Sequence, residues 1–369
     1  MKQRLFKISI LLLILISCKK EENNDVLYLE PNGRRLREIV AEKFSDTSFM
    51  VGATCGLWAF DYDATSKIVA TEFGYVTSEN EFKQLTIHPN NDIWNYTNAT
   101  KWIEKAELNS QIVRIHCPIG PQVSEWTKND SRTKDELEKN LTDFVTSVCT
   151  TFNKNPRVKY MDVVNETIKD GEWFGPLLGS SQWENPWTLL GFDIDKNQTP
   201  LYIKKAFELS NTYSPQIKQL YNHHEGPENT ASWLKIKETI LYLRAKGLRV
   251  DAIGWQAHVA NGWATEENLT ALSNLIDWAQ QNKLEFHITE ASSFIKNKLS
   301  AKELDLQAET YSKIIEIVMN KSKTGKVGWN TWHLTDAYTY KSEYYPSLFD
   351  ENCKPKPSYY AIQNLLENN

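Results

Sequence analysis

The sequence predicts an α/β fold, a single (β/α)8 TIM barrel, and three observations carry that expectation. Short runs rich in β-branched and aromatic residues alternate with longer amphipathic runs; eight of the short runs can be told apart; and no change of composition within residues 31–369 marks a second domain. Eight parallel strands close a barrel, and a chain of 369 residues is ordinary for one barrel with insertions.

Taken in order, the strands are expected at residues 49–53, 71–76, 111–117, 158–164, 217–222, 251–255, 284–289 and 327–331. Val, Ile, Phe, Tyr and Trp crowd there into runs too short for helices. Helices are expected at 134–152, 200–212, 231–246, 265–282, 301–320 and 357–367, where apolar residues recur three and four apart. Three carry start signals: Thr133 ahead of Asp135 and Glu136, Thr265 ahead of Glu266 and Glu267, and Ser300 ahead of Glu303. Residues 171–200, rich in Trp, Gly, Pro and Asn, read as a long loop over the active face.

The N-terminus stands apart. Lys2, Arg4 and Lys7 precede the apolar run 8–16, which is too short for a permanent membrane span and ends on Ser17-Cys18. That is the pattern of an export signal over residues 1–17. It resembles a bacterial lipobox, with Cys18 as the lipidated first residue of the mature chain; a plain signal peptide cut nearby is the alternative. Residues 18–30 open on Lys19-Lys20-Glu21-Glu22-Asn23-Asn24 and read as a flexible tether, leaving 31–369 for the folded domain. The expectation is an exported monomer, lipid-anchored to the bacterial outer membrane and facing the cell surface.

A formal net charge of -5 leaves no electrostatic footprint for nucleic acid. The chain holds 13 Trp, 16 Tyr and 14 Phe, more tryptophan than a core of this size needs, and tryptophan faces are surfaces on which sugars stack. Cys55, Cys117, Cys149 and Cys353 match no zinc spacing. The first three read as buried free thiols, and no disulfide, metal or cofactor is expected. His223-His224 reads as part of a solvated loop.

Glu166 closes the apolar run that begins at Val158, and Glu290 closes the one that begins at Leu284. The C-terminal rim of a barrel is where loops and substrate meet, so two carboxylates placed there point to glycosidic bond cleavage. Buried structural carboxylates paired to an arginine are the bland alternative.

Seven motifs, each at the end of an expected strand or just past it, sharpen that reading. They are Thr77-Ser78-Glu79-Asn80-Glu81-Phe82-Lys83, Arg114-Ile115-His116, Asp162-Val163-Val164-Asn165-Glu166, Leu220-Tyr221-Asn222, Ile253-Gly254-Trp255-Gln256-Ala257-His258, Ile288-Thr289-Glu290 and Trp332-His333-Leu334-Thr335-Asp336. In this order they resemble glycoside hydrolase family 10, whose members are mostly retaining endo-1,4-β-xylanases.

The resemblance implies Glu166 as general acid/base and Glu290 as nucleophile in the double-displacement hydrolysis of xylan or a related β-glycan. It implies Asn165 on the sugar 2-hydroxyl, His258 and Gln256 beside the carboxylates, and His116 on the sugar at the cut. Glu79, Asn80 and Lys83 would hold the sugar two units away on the non-reducing side, although Glu79 and Lys83 alone would read as a surface ion pair on a helix. Trp332 would form a wall, and Gln122, Asn222 and Tyr340 would also bind substrate.

The departures are specific. The family continues its second motif, Arg114-Ile115-His116 here, with a Trp-His pair before a glutamine; Ile119-Gly120-Pro121-Gln122 is shorter and keeps only the glutamine. Tyr340 stands for a tryptophan and His333 for a glycine. An exo-acting β-glycosidase of the same fold and a catalytically weak glycan-binding lipoprotein therefore remain as alternatives. A pure binder would have no use for the retained acid and nucleophile.

Overall fold

The expected alternation of strand and helix closes into a barrel in the computed structural model, which describes residues 28–44, 48–128, 133–176 and 185–369. Its eight parallel strands are Phe49–Cys55, Tyr75–Ser78, Ile112–Ile115, Val158–Asn165, Lys218–His223, Ala252–Trp255, Glu285–Phe294 and Val327–Trp332. The eighth returns to pair with the first, from Phe49↔Val327 to Thr54↔Trp332. Strands covered on both faces must be apolar nearly throughout, and every residue of the first, second and eighth is buried.

The helix start signals act as the sequence suggests. Thr133 forms a reciprocal capping box with Glu136, and the side chains of Thr265 and Ser300 accept the backbone N–H of Asn268 and Glu303. Each satisfies an N–H that the first helical turn leaves without a partner.

Two expectations need correction. Thr71 and Glu72 do not open the second strand; they end the helix Asp63–Glu72. The β-branched run misleads because Glu72 is buried by tertiary contacts: its carboxylate accepts from the Leu36 backbone N–H at 3.0 Å and the Tyr359 hydroxyl at 2.8 Å. Residues 171–200 are not all loop: Glu172–Trp173 pairs with Ile168–Lys169 as a small hairpin and Pro186–Leu190 forms a 3-10 turn, while 177–184 lie outside the described residues. Of the 13 tryptophans, Trp102, Trp187, Trp233, Trp255 and Trp329 are fully buried and serve as packing.

Cys55, Cys117, Cys149 and Cys353 are free thiols, all buried. Residues 1–17, Cys18 and most of the tether lie outside the described residues. Tyr28, within the expected tether, already packs against the core.

Two strands carry a feature that the sequence does not announce. Along the seventh strand the pairing with the eighth steps from Ile288↔Trp329 to Ala291↔Thr331, so Glu290 falls in a bulge, with four further residues of strand beyond it. The fourth slips likewise against the fifth, between Asp162 and Val164, just before Glu166. Bulges are uncommon between parallel strands, and each re-aims the side chains beside it.

Candidate active site

The rim formed by the strand C-termini encloses a cleft of about 560 Å³. Twelve of the expected site residues line it: Glu79, Asn80, Lys83, His116, Gln122, Asn165, Glu166, Gln256, His258, Glu290, Trp332 and Tyr340. Cys117, Pro121 and His224 complete the lining.

Glu166 follows directly on the fourth strand with a φ of 54°, in the left-handed region that costs a non-glycine residue roughly 1–2 kcal/mol. Its backbone N–H donates to the Asn222 carbonyl at 3.2 Å, which ties the turn to the fifth strand. The Asn165 amide nitrogen donates to Glu166 Oε1 at 3.1 Å, and Gln256 Nε2 donates to the same oxygen at 2.9 Å. With both donors on Oε1, Oε2 is the oxygen left to carry a proton.

Glu290 is surrounded by positive charge. Its Oε2 lies 3.1 Å from His258 Nε2, Oε1 accepts from Asn222 Nδ2 at 3.2 Å, and His116 Nδ1 stands 4.0 Å from Oε1. Burial alone would raise the pKa of this carboxyl; the His258 hydrogen bond and the charges of His116, His258 and Arg114 outweigh it and lower the pKa to about 2. At any ordinary pH the group is an anion, as a nucleophile must be.

Beneath the cleft, Asp162 Oδ2 receives Arg114 Nη1 and His116 Nδ1, both at 2.8 Å. Arg114 also reaches the Thr289 carbonyl at 2.8 Å and Thr77 Oγ1 at 3.0 Å, binding the second, third, fourth and seventh strands together. Burial opposes a charge on His116, but Cys117, Asp162 and Glu290 prevail and raise its pKa to about 10.

At the other end of the cleft, Glu79 is not half of a helix-surface ion pair with Lys83. Its Oε1 lies 3.2 Å from His333 Nε2, which helps hold the carboxyl below its ordinary pKa against the effect of burial. Lys83 Nζ donates to Asn80 Oδ1 at 2.9 Å and also to Gln122 Oε1. Gln122 therefore reaches the cleft although the preceding segment lacks the Trp-His pair. Trp332 packs edge-on against His116 and His258, at 5.5 and 6.1 Å between ring centroids.

Two readings change. Asn222 is wholly buried and does not line the cleft; its side chain lies behind the wall, bonded to Asn165, Glu290 and Thr289 Oγ1. Through these bonds it ties Glu290 to Asn165, the neighbour of Glu166. His223 is fully buried against Glu225 and Trp233, and His224 lines the cleft, so this pair is no solvated loop. The roles of Asp162 and Arg114 also escaped sequence reasoning, although the third and second motifs contain them. A charged pair inside apolar strands was the available signal.

Comparison with known proteins agrees with this geometry. The glycosyl hydrolase family 10 model matches residues 36–365. The chain is 29% identical to endo-1,4-beta-xylanase B of Thermotoga neapolitana, over 97% of this chain and 96% of that protein. It is 29% identical to endo-1,4-beta-xylanase A of Caldicellulosiruptor saccharolyticus, over 85% of this chain and 92% of that protein. Among solved structures, xylanase 10B from Thermotoga petrophila in complex with xylobiose superposes with a TM-score of 0.77 at 28% identity, covering 92% of this chain and 99% of that one. Barrel, cleft and sequence together place this chain in glycosyl hydrolase family 10.

Proposed function

We propose that the protein is a retaining endo-1,4-β-xylanase, with Glu290 as nucleophile and Glu166 as acid/base. The observation that carries the reading is the placement of both carboxylates in one cleft, joined through hydrogen-bonded Asn165 and Asn222. Glu290 attacks the anomeric carbon while Glu166 gives its proton to the departing glycosidic oxygen, so the C–O bond breaks as the glycosyl ester forms. Glu166, now a carboxylate, takes a proton from water; that water attacks the same carbon and Glu290 is released.

Asn165 already accepts two hydrogen bonds on Oδ1, from Asn222 and Gln256, and spends one amide hydrogen on Glu166. Its other amide hydrogen serves the sugar 2-hydroxyl, a contact that tightens as positive charge grows on the ring. Relatives named as endo-1,4-beta-xylanases over nearly their whole length support xylan as substrate and internal cleavage as the mode. The basic and apolar start ending at Ser17-Cys18 supports an exported lipoprotein held at a membrane by Cys18.

The two roles separate in one experiment. Glu290→Ala removes turnover of an aryl β-xylobioside whatever the leaving group. Glu166→Ala slows poor leaving groups by roughly 100-fold or more and activated ones far less, as expected when general acid catalysis is lost. Equal losses on both leaving groups in Glu166→Ala, or full turnover by Glu290→Ala, would refute the assignment.

A further inference from the structure

Three aromatic rings outside the cleft are unexplained by the chemistry above. Trp58 lies in the short 3-10 helix Leu57–Phe60 after the first barrel strand, and Tyr338 in Asp336–Tyr338 after the eighth. Their ring centroids are 4.4 Å apart with planes inclined at 34°, and Tyr62 lies against Tyr338 at 6.0 Å and 22°. The first and eighth strands are hydrogen-bonded neighbours, so these two loops stand side by side on the rim that carries the cleft.

The step from cleft to rings passes through Gly56. A Cβ built there would meet the Trp58 indole at 2.7 Å and Glu79 Oε2 at 3.6 Å, so the cluster begins where the Glu79 end of the cleft stops. A side chain at position 56 would clash with the indole and crowd the passage between the two.

The rings are not ordinary core. Tyr62 is 50% exposed and Tyr338 43% exposed, while the five large core tryptophans are fully buried. The Trp58 indole N–H and the hydroxyls of Tyr62 and Tyr338 make no hydrogen bond with any described residue, and the indole nitrogen is not a buried orphan. Two exposed tyrosines beside a half-buried tryptophan that packs against the core, all with unspent donors, suit a ligand that has both an apolar face and hydroxyls. A β-1,4-linked pyranose has both, since its axial C–H bonds form flat faces and its hydroxyls project from the edge. The rings brace one another, so little conformational entropy remains to be lost when a sugar docks.

We propose that Trp58, Tyr62 and Tyr338 form a distal binding bank for the sugar chain, receiving pyranose units on the non-reducing side beyond the one held by Glu79, Asn80 and Lys83. The proposal rests on the xylanase reading for the direction in which the chain lies. The bank contacts no reacting atom, so its contribution is equal in ground and transition states and acts through KM.

The test compares the double variant Tyr62→Ser/Tyr338→Ser and the single variant Trp58→Ala with the wild type on two substrates. An aryl β-xylobioside fills only the two sugar positions next to the cut, whereas xylohexaose extends past Glu79. The expected result is a roughly tenfold fall in kcat/KM on xylohexaose, carried by KM, which corresponds to about 1.4 kcal/mol of lost binding. The xylobioside should change by less than about twofold, and Trp58→Phe should recover most of the xylohexaose loss. Unchanged xylohexaose kinetics would overturn the bank, as would equal losses on both substrates, which would mark the rings as packing. A wild type inert on both substrates would instead overturn the xylanase reading, and the bank with it.

Discussion

Removing His258 should move the acid limit of activity, and the site gives the size of the effect. As the proposed nucleophile, Glu290 must be ionised to attack, so kcat/KM should fall as pH drops through its pKa of about 2. Its neighbours outweigh a burial effect that acts the other way, and His258 contributes twice, by the 3.1 Å hydrogen bond and by charge. A hydrogen bond to a charged group contributes about 1.5–3 kcal/mol, which is roughly 1–2 pKa units. In His258→Ala, with His116 and Arg114 still in place, the acid limb should rise by roughly that amount, stopping short of the ordinary carboxyl value of 4.5. The stability sign agrees: a depressed carboxyl stabilises the fold above its unfolded pKa, and that contribution disappears as pH falls from 4.5 toward 2, sooner in the variant. The assay is kcat/KM against pH on an aryl β-xylobioside with an activated leaving group, which minimises dependence on Glu166, with circular dichroism at each pH to exclude acid unfolding. A limb that stays at the wild-type pH while the rate falls would refute the idea that His258 acts through the charge of Glu290.

Two further outcomes are expected. Asp162→Asn leaves Arg114 buried without its 2.8 Å partner and should cost about 3–5 kcal/mol by urea denaturation near neutral pH. His116, raised from 6.5 to about 10, stabilises the wild type fully below 6.5 and loses that contribution as pH rises through about 10, so the gap between wild type and variant should narrow across this window. A gap constant with pH would mean that Asp162 does not hold the His116 proton. Separately, Cys18→Ala should move the protein from the membrane fraction to the soluble one after cell breakage, and retention in the membrane would refute the lipid anchor.

What the sequence made legible divides along a physical line. Strand number and order, helix caps and the rim position of Glu166 and Glu290 depend on residues within one or two turns of one another, and these were readable. The hairpin of Ile168–Lys169 with Glu172–Trp173 is a local misreading, but others involve partners distant in the chain. Glu72 sits in a helix end because Arg35 and Tyr359 enclose it, from 37 and 287 positions away. His333 was visible only as a departure from the family pattern; the structure adds a φ of 67° and a bond to Glu79, 254 residues away. A histidine in the left-handed region that glycine favours carries a strain of about 1 kcal/mol or more, so it needs a compensating contact. The Glu79 carboxylate supplies one. His333 and Glu166 are thus alike: both sit on left-handed backbone, and each is bonded to a side chain from the end of another strand, His333 to Glu79 and Glu166 to Gln256. Such positions are where local propensity is overruled in favour of aiming one group, and aim is the property that a one-dimensional pattern does not encode.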